Sequence, residues 1–340
     1  MTASQEIETR LRETAEQLLR DKKVDVFLGY EKASLPFRTT PLFVTSPEQV
    51  DRLAWNPFCT INLAVYLPRL FADSRRGGGR AEPPPPPTVG IVLKGCDLRA
   101  ATVLIQEHQV PREKLVIVGV ACPGMVDRRK AELALGEHDA LGAGEDGEGN
   151  VHAVIEDGVE VKLSREDVVA EACLQCRTPT PSMHDVLLGS PVEATDGDGD
   201  AGRKQTADFE AKAPAVRWAQ LREALADCIR CSACRQACPM CYCTECVMDQ
   251  TRPRWLGAGT DGSDVMIYHL TRAFHLAGRC TECGACARAC PMGIDTRLLV
   301  RKMNQEVEDL YGYRPGDATD TTSPLSDFSM DDPQDFLTEP

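Results

Sequence analysis

The chain has 340 residues, and its 38 Lys+Arg against 52 Asp+Glu give a formal charge of −14. That balance argues against a nucleic-acid binder, which would offer a basic face to phosphates. An aromatic content of 5% argues against a stacking surface for single strands.

Met1–Arg20 is charged and lacks the apolar centre of an export signal. The longest apolar run, Leu115–Cys122, is far too short to cross a bilayer. The 16 cysteines therefore read as metal ligands or redox groups of a cytoplasmic chain, not as disulfides.

In chain order, Gln5–Arg20 sets Ile7, Leu11, Ala15, Leu18 and Leu19 on one face of an amphipathic helix. Residues 73–88, with Gly77–Gly79 and Pro83–Pro87, read as an extended insertion loop. Val89–Leu93 and Leu115–Ala121 are short apolar runs, separated by a helical pattern over Leu98–Gln109. Strand, helix and strand in that order predict a parallel pair with a crossover helix. Lys94–Asp97 and Cys122–Met125 then share the carboxyl edge of the sheet, where open α/β sheets bind ligands.

On that edge Asp97 can cap the helix, and Gly95 and Gly124 permit close backbone approach. Lys94 and Arg99 could hold a cofactor phosphate or carboxylate. Cys96 and Cys122 should be neighbours there, as site residues or as small core residues.

Residues 137–150 form a second insertion, with five acidic residues and no Lys or Arg over Glu137–Glu148. Cys173 and Cys176 make a CxxC metal half-site before a proline-rich turn. Residues 190–216 read as an acidic linker. An EF-hand reading of its Asp196–Asp200 run lacks the bidentate Glu. Residues 315–340, with seven acidic residues and no Lys or Arg, read as a disordered tail. Most of the negative charge lies in these three acidic segments, and the rest of the chain is nearly balanced.

The strongest motif occurs twice. It is Cys228-x₂-Cys231-x₂-Cys234-x₃-Cys238-Pro239, then Cys280-x₂-Cys283-x₂-Cys286-x₃-Cys290-Pro291. This is the spacing of bacterial-type [4Fe–4S] ferredoxins, in which the cysteine before proline ligates the other cluster. One cluster is expected on Cys228, Cys231, Cys234 and Cys290, the other on Cys280, Cys283, Cys286 and Cys238. Such swapped ligands couple metal binding to folding. Arg230, Arg235, Arg279 and Arg288 flank the runs as partial counter-charges.

The 41 residues between the runs are too many for a small ferredoxin. Arg217–Arg230, Asp264–Gly278 and Thr296–Leu310 are helical in pattern. Cys241, Cys243 and Cys246, with Cys173 or Cys176, could complete a third metal site, a third iron–sulfur cluster. Spare thiols are the alternative. His269 and His275 read as packing or hydrogen-bonding residues.

The segment His275–Pro291 resembles the alpha-helical dicluster ferredoxin domain of respiratory and methanogenic iron–sulfur subunits. Val92-Leu-Lys-Gly-Cys-Asp-Leu-Arg99 and Val118-Gly-Val-Ala-Cys-Pro-Gly124 resemble the beta-subunit family of coenzyme F-420 hydrogenases and dehydrogenases. The run Cys228–Cys243 is similar to the iron–sulfur segment of the related formate dehydrogenase beta subunits.

The resemblance implies an α/β domain able to hold FAD, with clusters that carry single electrons to a partner subunit. In that family the flavin exchanges a hydride with a deazaflavin. This chain departs from the pattern in its C-terminal clusters and in its acidic and proline-rich insertions, and it shows no dinucleotide fingerprint.

The expected organisation is an α/β domain over 1–189, the linker, a helical dicluster domain over 217–314 and the tail. The expected function is an electron-transfer subunit of a larger redox complex. An FAD-dependent oxidoreductase subunit and a module with purely structural clusters are the alternatives.

Overall fold

Uninterrupted apolar runs make the central strands, because a parallel strand is covered on both faces. The computed structural model describes residues 2–75, 84–194, 200–326 and 328. Helix α1 (Ala3–Arg20) is capped by Thr2 and Gln5 and lays its apolar face against the sheet core. Strands β1 (Val26–Lys32) and β2 (Thr39–Val44) form an antiparallel edge. Then β3 (Val89–Leu93) leads through α2 (Gly95–Gln106) to β4 (Leu115–Val120).

Val89 pairs with Leu115 and Leu93 with Gly119, in parallel, as the apolar runs imply. The sheet order is β2-β1-β3-β4-β8, with β8 at Val186–Leu188. Strands β1, β3, β4 and β8 all run parallel.

Helix α3 (Arg128–Ala134) precedes a second, three-stranded antiparallel sheet of β5 (Ala140–Glu145), β6 (Val151–Ile155) and β7 (Glu160–Leu163). The expected insertion at 137–150 therefore contains β5. Its glycines obscure the strand, yet pairing with β6 satisfies its backbone and a separate core around Val151, Ala153 and Leu163 anchors the sheet. One turn of helix, α4 (Glu171–Leu174), carries Cys173.

The expected acidic linker is also partly structured, with helix α5 at Asp200–Glu210. Arg203 of α5 pairs with Glu308 and Asp309 at 3.0 and 2.9 Å. These partners turn a charge-rich segment that would be disordered alone into a packed helix. Residues 315–321 differ from the expected tail in the same way. Arg99 donates to the Pro315 carbonyl, and Gln106 to the carbonyls of Ala318 and Thr321. Residues 76–83 and 195–199, with 327 and 329–340, lie outside the described residues, so the glycine run, most of the Asp-Gly run and the tail's end are not assessed.

The cysteine-rich part carries helices α6 (Pro214–Leu225), α7 (Ala233–Gln236), α8 (Gly262–His275), α9 (Ala285–Ala289) and α10 (Arg297–Tyr311). They are not a separate globule. Met240, Ala273, Leu276 and Val300 join the same hydrophobic core as the sheet. Glu107, just past α2, binds Arg279 at 2.8 Å and accepts from the Tyr242 hydroxyl at 2.7 Å. The cysteine-rich part thereby packs along α2, and its Cys283 and Arg288 reach the cleft of Lys94 and Cys122 at the carboxyl edge of the sheet. Among the described residues no helix is long and apolar enough to cross a membrane.

Candidate metal centres

The two cysteine runs share one backbone design. Arg230 and Ser232 have φ of 49° and 61°, and the matching Glu282 and Gly284 have 56° and 70°. Left-handed non-glycine residues are costly and gather at functional loops. Left-handed residues in such turns can aim backbone amides toward one concavity, a cradle for negative charge. Gly284 is required twice over, since a Cβ there would also stand 2.7 Å from the Ala172 Cβ. Short helices α7 and α9 then start immediately and carry the third cysteine of each run.

A small pocket is lined by Cys228, Cys231, Cys234 and Cys290. Cys290 comes from the second run, so the pocket unites both motifs. Tyr268, His269 and Ile294 complete its wall. His269 Nε2 lies 3.3 Å from Cys228 Sγ. Burial, then the charges of Arg272 and Arg230, push the imidazole pKa down to about 4. His269 is therefore neutral, with one ring nitrogen free to donate to sulfur.

Cys280, Cys283, Cys286 and Cys238 form a second set. The Cys280 thiol is raised first by burial, then by Cys238, Glu282, Cys286 and Cys283. The Glu282 amide donates to Cys280 Sγ at 3.4 Å, and the Ala285 amide to Cys283. The two sets adjoin, because Cys234 of the first feels Cys286 of the second.

Among the described residues no three His, Cys, Asp or Glu side chains converge tightly enough for one metal ion. A zinc ion, about 2.3 Å from each thiolate, needs such convergence. Four thiols lining one pocket, and amide donors at Cys280 and Cys283, match the ligand set of a cubane cluster.

Arg272 escaped the sequence reading. It is 3% exposed, and its Nη2 donates to the Cys234 carbonyl at 3.3 Å. Burial opposes its charge, but Cys286, Cys238, Cys234 and Cys241 surround it and hold it protonated. Nothing in the spacing of α8 marks it; only the packing between the two sets does.

The four arginines expected as counter-charges divide. Arg288 faces Cys173, Cys283 and Cys96. Arg279 is spent on Glu107, Arg235 pairs with Asp249 at 2.7 Å, and Arg230 donates to the Gly257 and Gly259 carbonyls.

The N-terminal edge brings Gly95, Cys96, Arg99, Cys122 and Gly124 to one cleft with Lys94, and Cys173, Cys176 and Cys283 line it too. Asp97 is fully buried beneath. The Lys94 ammonium pairs with the Asp97 carboxylate at 2.7 Å and donates to the Ile61 carbonyl and the Tyr30 hydroxyl. Its charge is thus used inside the protein.

The backbone approach that Gly95 allows is taken by the Thr178 carbonyl, 1.6 Å from where a Cβ would sit. Arg99 is engaged with Pro315 and Asp317. These residues do not fit the phosphates of a dinucleotide, and no step is derived through FAD.

The five thiols expected as a third site separate. Cys241 hydrogen-bonds with Cys238, Cys246 faces Arg235, and Cys243 is exposed. Cys173 and Cys176 instead neighbour Cys122.

Comparisons with known proteins find likenesses over the cysteine runs and over most of the chain. A model described as a 4Fe-4S dicluster domain matches residues 224–294. The chain is 22% identical to the F-420-dependent formate dehydrogenase subunit beta of Methanocaldococcus jannaschii, over 88% of this chain and 89% of that one. It is likewise 22% identical to the F-420-dependent formate dehydrogenase 1 subunit beta of Methanococcus maripaludis, over 86% of each. A solved chain of the F-420-reducing [NiFe] hydrogenase complex from Methanosarcina barkeri matches 68% of this chain and 92% of its own, at 15% identity and a TM-score of 0.39, too low to carry an argument. Residues 224–294 of the chain are thus similar to a 4Fe-4S dicluster domain, and most of its length is similar to those beta subunits.

Proposed function

We propose that the chain is an electron-transfer subunit that relays single electrons within a larger redox complex. Cys228, Cys231, Cys234 and Cys290 would hold one [4Fe–4S] cluster, and Cys280, Cys283, Cys286 and Cys238 the other. When bound, such clusters take up and release one electron each. The observation that carries this reading is the pocket that Cys290 shares with the three thiols of the other run.

The chain's own residues supply the rest. Inward amides from the left-handed turns, with His269 beside Cys228, donate to sulfur and temper its negative charge. Arg272 offers a buried cation to both thiol sets and so favours added negative charge there. Tyr268, Ile294 and the sheet core limit water on the inner side. On the outer side Cys231 is exposed, beside exposed Ile229 and Met292. A partner subunit can approach there.

The relatives are named as formate dehydrogenase subunits, which supports a place in a multi-subunit oxidoreductase. The test is anaerobic purification followed by dithionite. A broad visible band that bleaches and returns on reoxidation is expected. A band that does not bleach would mean structural clusters and overturn the relay.

A further inference from the structure

The loop at 251–260, between the two cysteine runs, presents Arg252, Arg254 and Trp255 to solvent. Trp255 is 66% exposed, although its indole is the largest apolar side chain. Among the described residues, neither the Arg252 nor the Arg254 side chain has an ion-pair or hydrogen-bond partner. Carboxylates flanking the loop are engaged elsewhere. Asp249 pairs with Arg235 at 2.7 Å, Asp261 caps α8, and Asp264 accepts from the Gly259 amide at 2.7 Å. Two free cations and an exposed indole therefore stand together on one short stretch of a chain whose formal charge is −14.

This loop is tied to the first thiol set. Arg230, between Cys228 and Cys231, donates to the Gly257 carbonyl and, at 3.2 Å, to the Gly259 carbonyl. The same guanidinium lies over the Tyr268 ring, 4.9 Å from its centroid, and the Tyr268 hydroxyl lies 3.8 Å from Cys234 Sγ. Arg230 also lines the thiol pocket beside Ile229 and Met292, which are both exposed. One arginine thus joins the basic loop to the apolar rim of the first set.

We propose that the loop and the rim form the docking surface for a small acidic protein that carries one electron. The chemistry of the surface selects such a partner. Trp255, Ile229 and Met292 supply apolar contact that excludes water, and Trp and Arg are the side chains that dominate contact energies at interfaces. The free arginines call for carboxylates on the partner, and rim charges of this kind act on encounter rate and orientation. A nucleic acid would need a far wider basic face. The exchange moves one electron from the reduced chain to the oxidised carrier, and no bond forms or breaks in the loop.

This inference rests on the relay reading, and its test keeps the two apart. The probe is a purified acidic flavodoxin, whose flavin takes the electron and a solvent proton and reports both in its own visible spectrum. Its binding to the iron-loaded full chain is measured by calorimetry at low and at high salt. Stopped flow then follows its reduction by the chain, which has been reduced with dithionite and freed of it.

Arg252→Gln/Arg254→Gln should weaken binding about tenfold at low salt and little at high salt. Trp255→Ala should weaken it roughly thirtyfold at either salt. Lys32→Gln/Arg38→Gln removes two exposed charges from the β1–β2 hairpin and should change neither binding nor transfer. The iron content of every variant should equal that of the unsubstituted chain, because the altered residues lie outside both thiol sets.

Undiminished binding by Arg252→Gln/Arg254→Gln at low salt, or no binding by the unsubstituted chain, would overturn the docking surface. A chain that bleaches with dithionite yet passes no electron to the flavodoxin would also overturn it and leave the relay standing. A chain that binds through Arg252 and Arg254 but does not bleach would overturn the relay and keep the surface.

Discussion

Replacing Arg272 with methionine should lower the reduction potentials of both ferredoxin-type clusters. Arg272 is the buried cation shared by the two thiol sets, and its guanidinium reaches the Cys234 carbonyl at 3.3 Å. A unit charge roughly 7 Å from the charge that a cluster gains is worth about 2 kcal/mol at an effective dielectric of ~20. For a one-electron couple this is roughly 100 mV. Removing the cation makes the more negative, reduced state harder to reach, so the shift is downward. Arg272→Lys should restore most of it, because the charge remains.

The assay is an anaerobic potentiometric titration followed by electron paramagnetic resonance on fully iron-loaded protein. Arg222, exposed on α6, is the control, since solvent screens a charge there. Fully loaded Arg272→Met whose potentials move no more than those of Arg222→Met would refute the assignment of Arg272 as a shared counter-charge.

Three further outcomes are expected. Asp97→Ala leaves the Lys94 charge buried and unpaired and should cost roughly 3–5 kcal/mol, read as a lowered melting temperature. The double change Lys94→Met/Asp97→Leu should recover most of it, and a double variant as unstable as Asp97→Ala would contradict the buried-pair reading. Glu107→Ala removes the contacts to Arg279 and Tyr242 and should cost about 1–3 kcal/mol; faster hydrogen exchange around 279–283 would report it, and unchanged exchange would count against that clamp. Stripping iron with a chelator should loosen residues 228–238 and 280–290 while β1, β3 and β4 stay protected, because only the cysteine loops depend on metal for their turns. Equal protection before and after stripping would contradict that dependence.

What could be read in advance follows from where the information sits. Strands β3 and β4 are unbroken apolar runs, buried throughout or nearly so, and their bounds match the runs to within a residue. Strand β1 is interrupted by Gly29, whose absent side chain makes room for Leu53, so its run does not stand out. Strand β8 has three residues and exists through pairing with β4. Strand β5 hides in an acidic, glycine-rich stretch because its partner supplies the order.

The ferredoxin cysteines are local motifs, so their grouping is visible from spacing. Cys96 and Cys122 were expected as neighbours because both follow parallel strands. Their meeting with Cys173 and Cys176 depends on the Thr178–Pro179 turn folding back over Gly95 and Cys122, which no local pattern encodes. Arg272 is a similar case, one basic residue on a helix whose face is defined only by what packs there.

The account turns on ligand sets that cross between the two cysteine runs. Four variants, Cys228→Ser, Cys290→Ser, Cys280→Ser and Cys238→Ser, compared by electron paramagnetic resonance of the reduced full-length chain, test it most directly. Cys290→Ser should perturb the same cluster signal as Cys228→Ser, and Cys238→Ser the same signal as Cys280→Ser. If Cys290→Ser instead perturbs the signal affected by Cys280→Ser, each run binds its own cluster and the account is wrong.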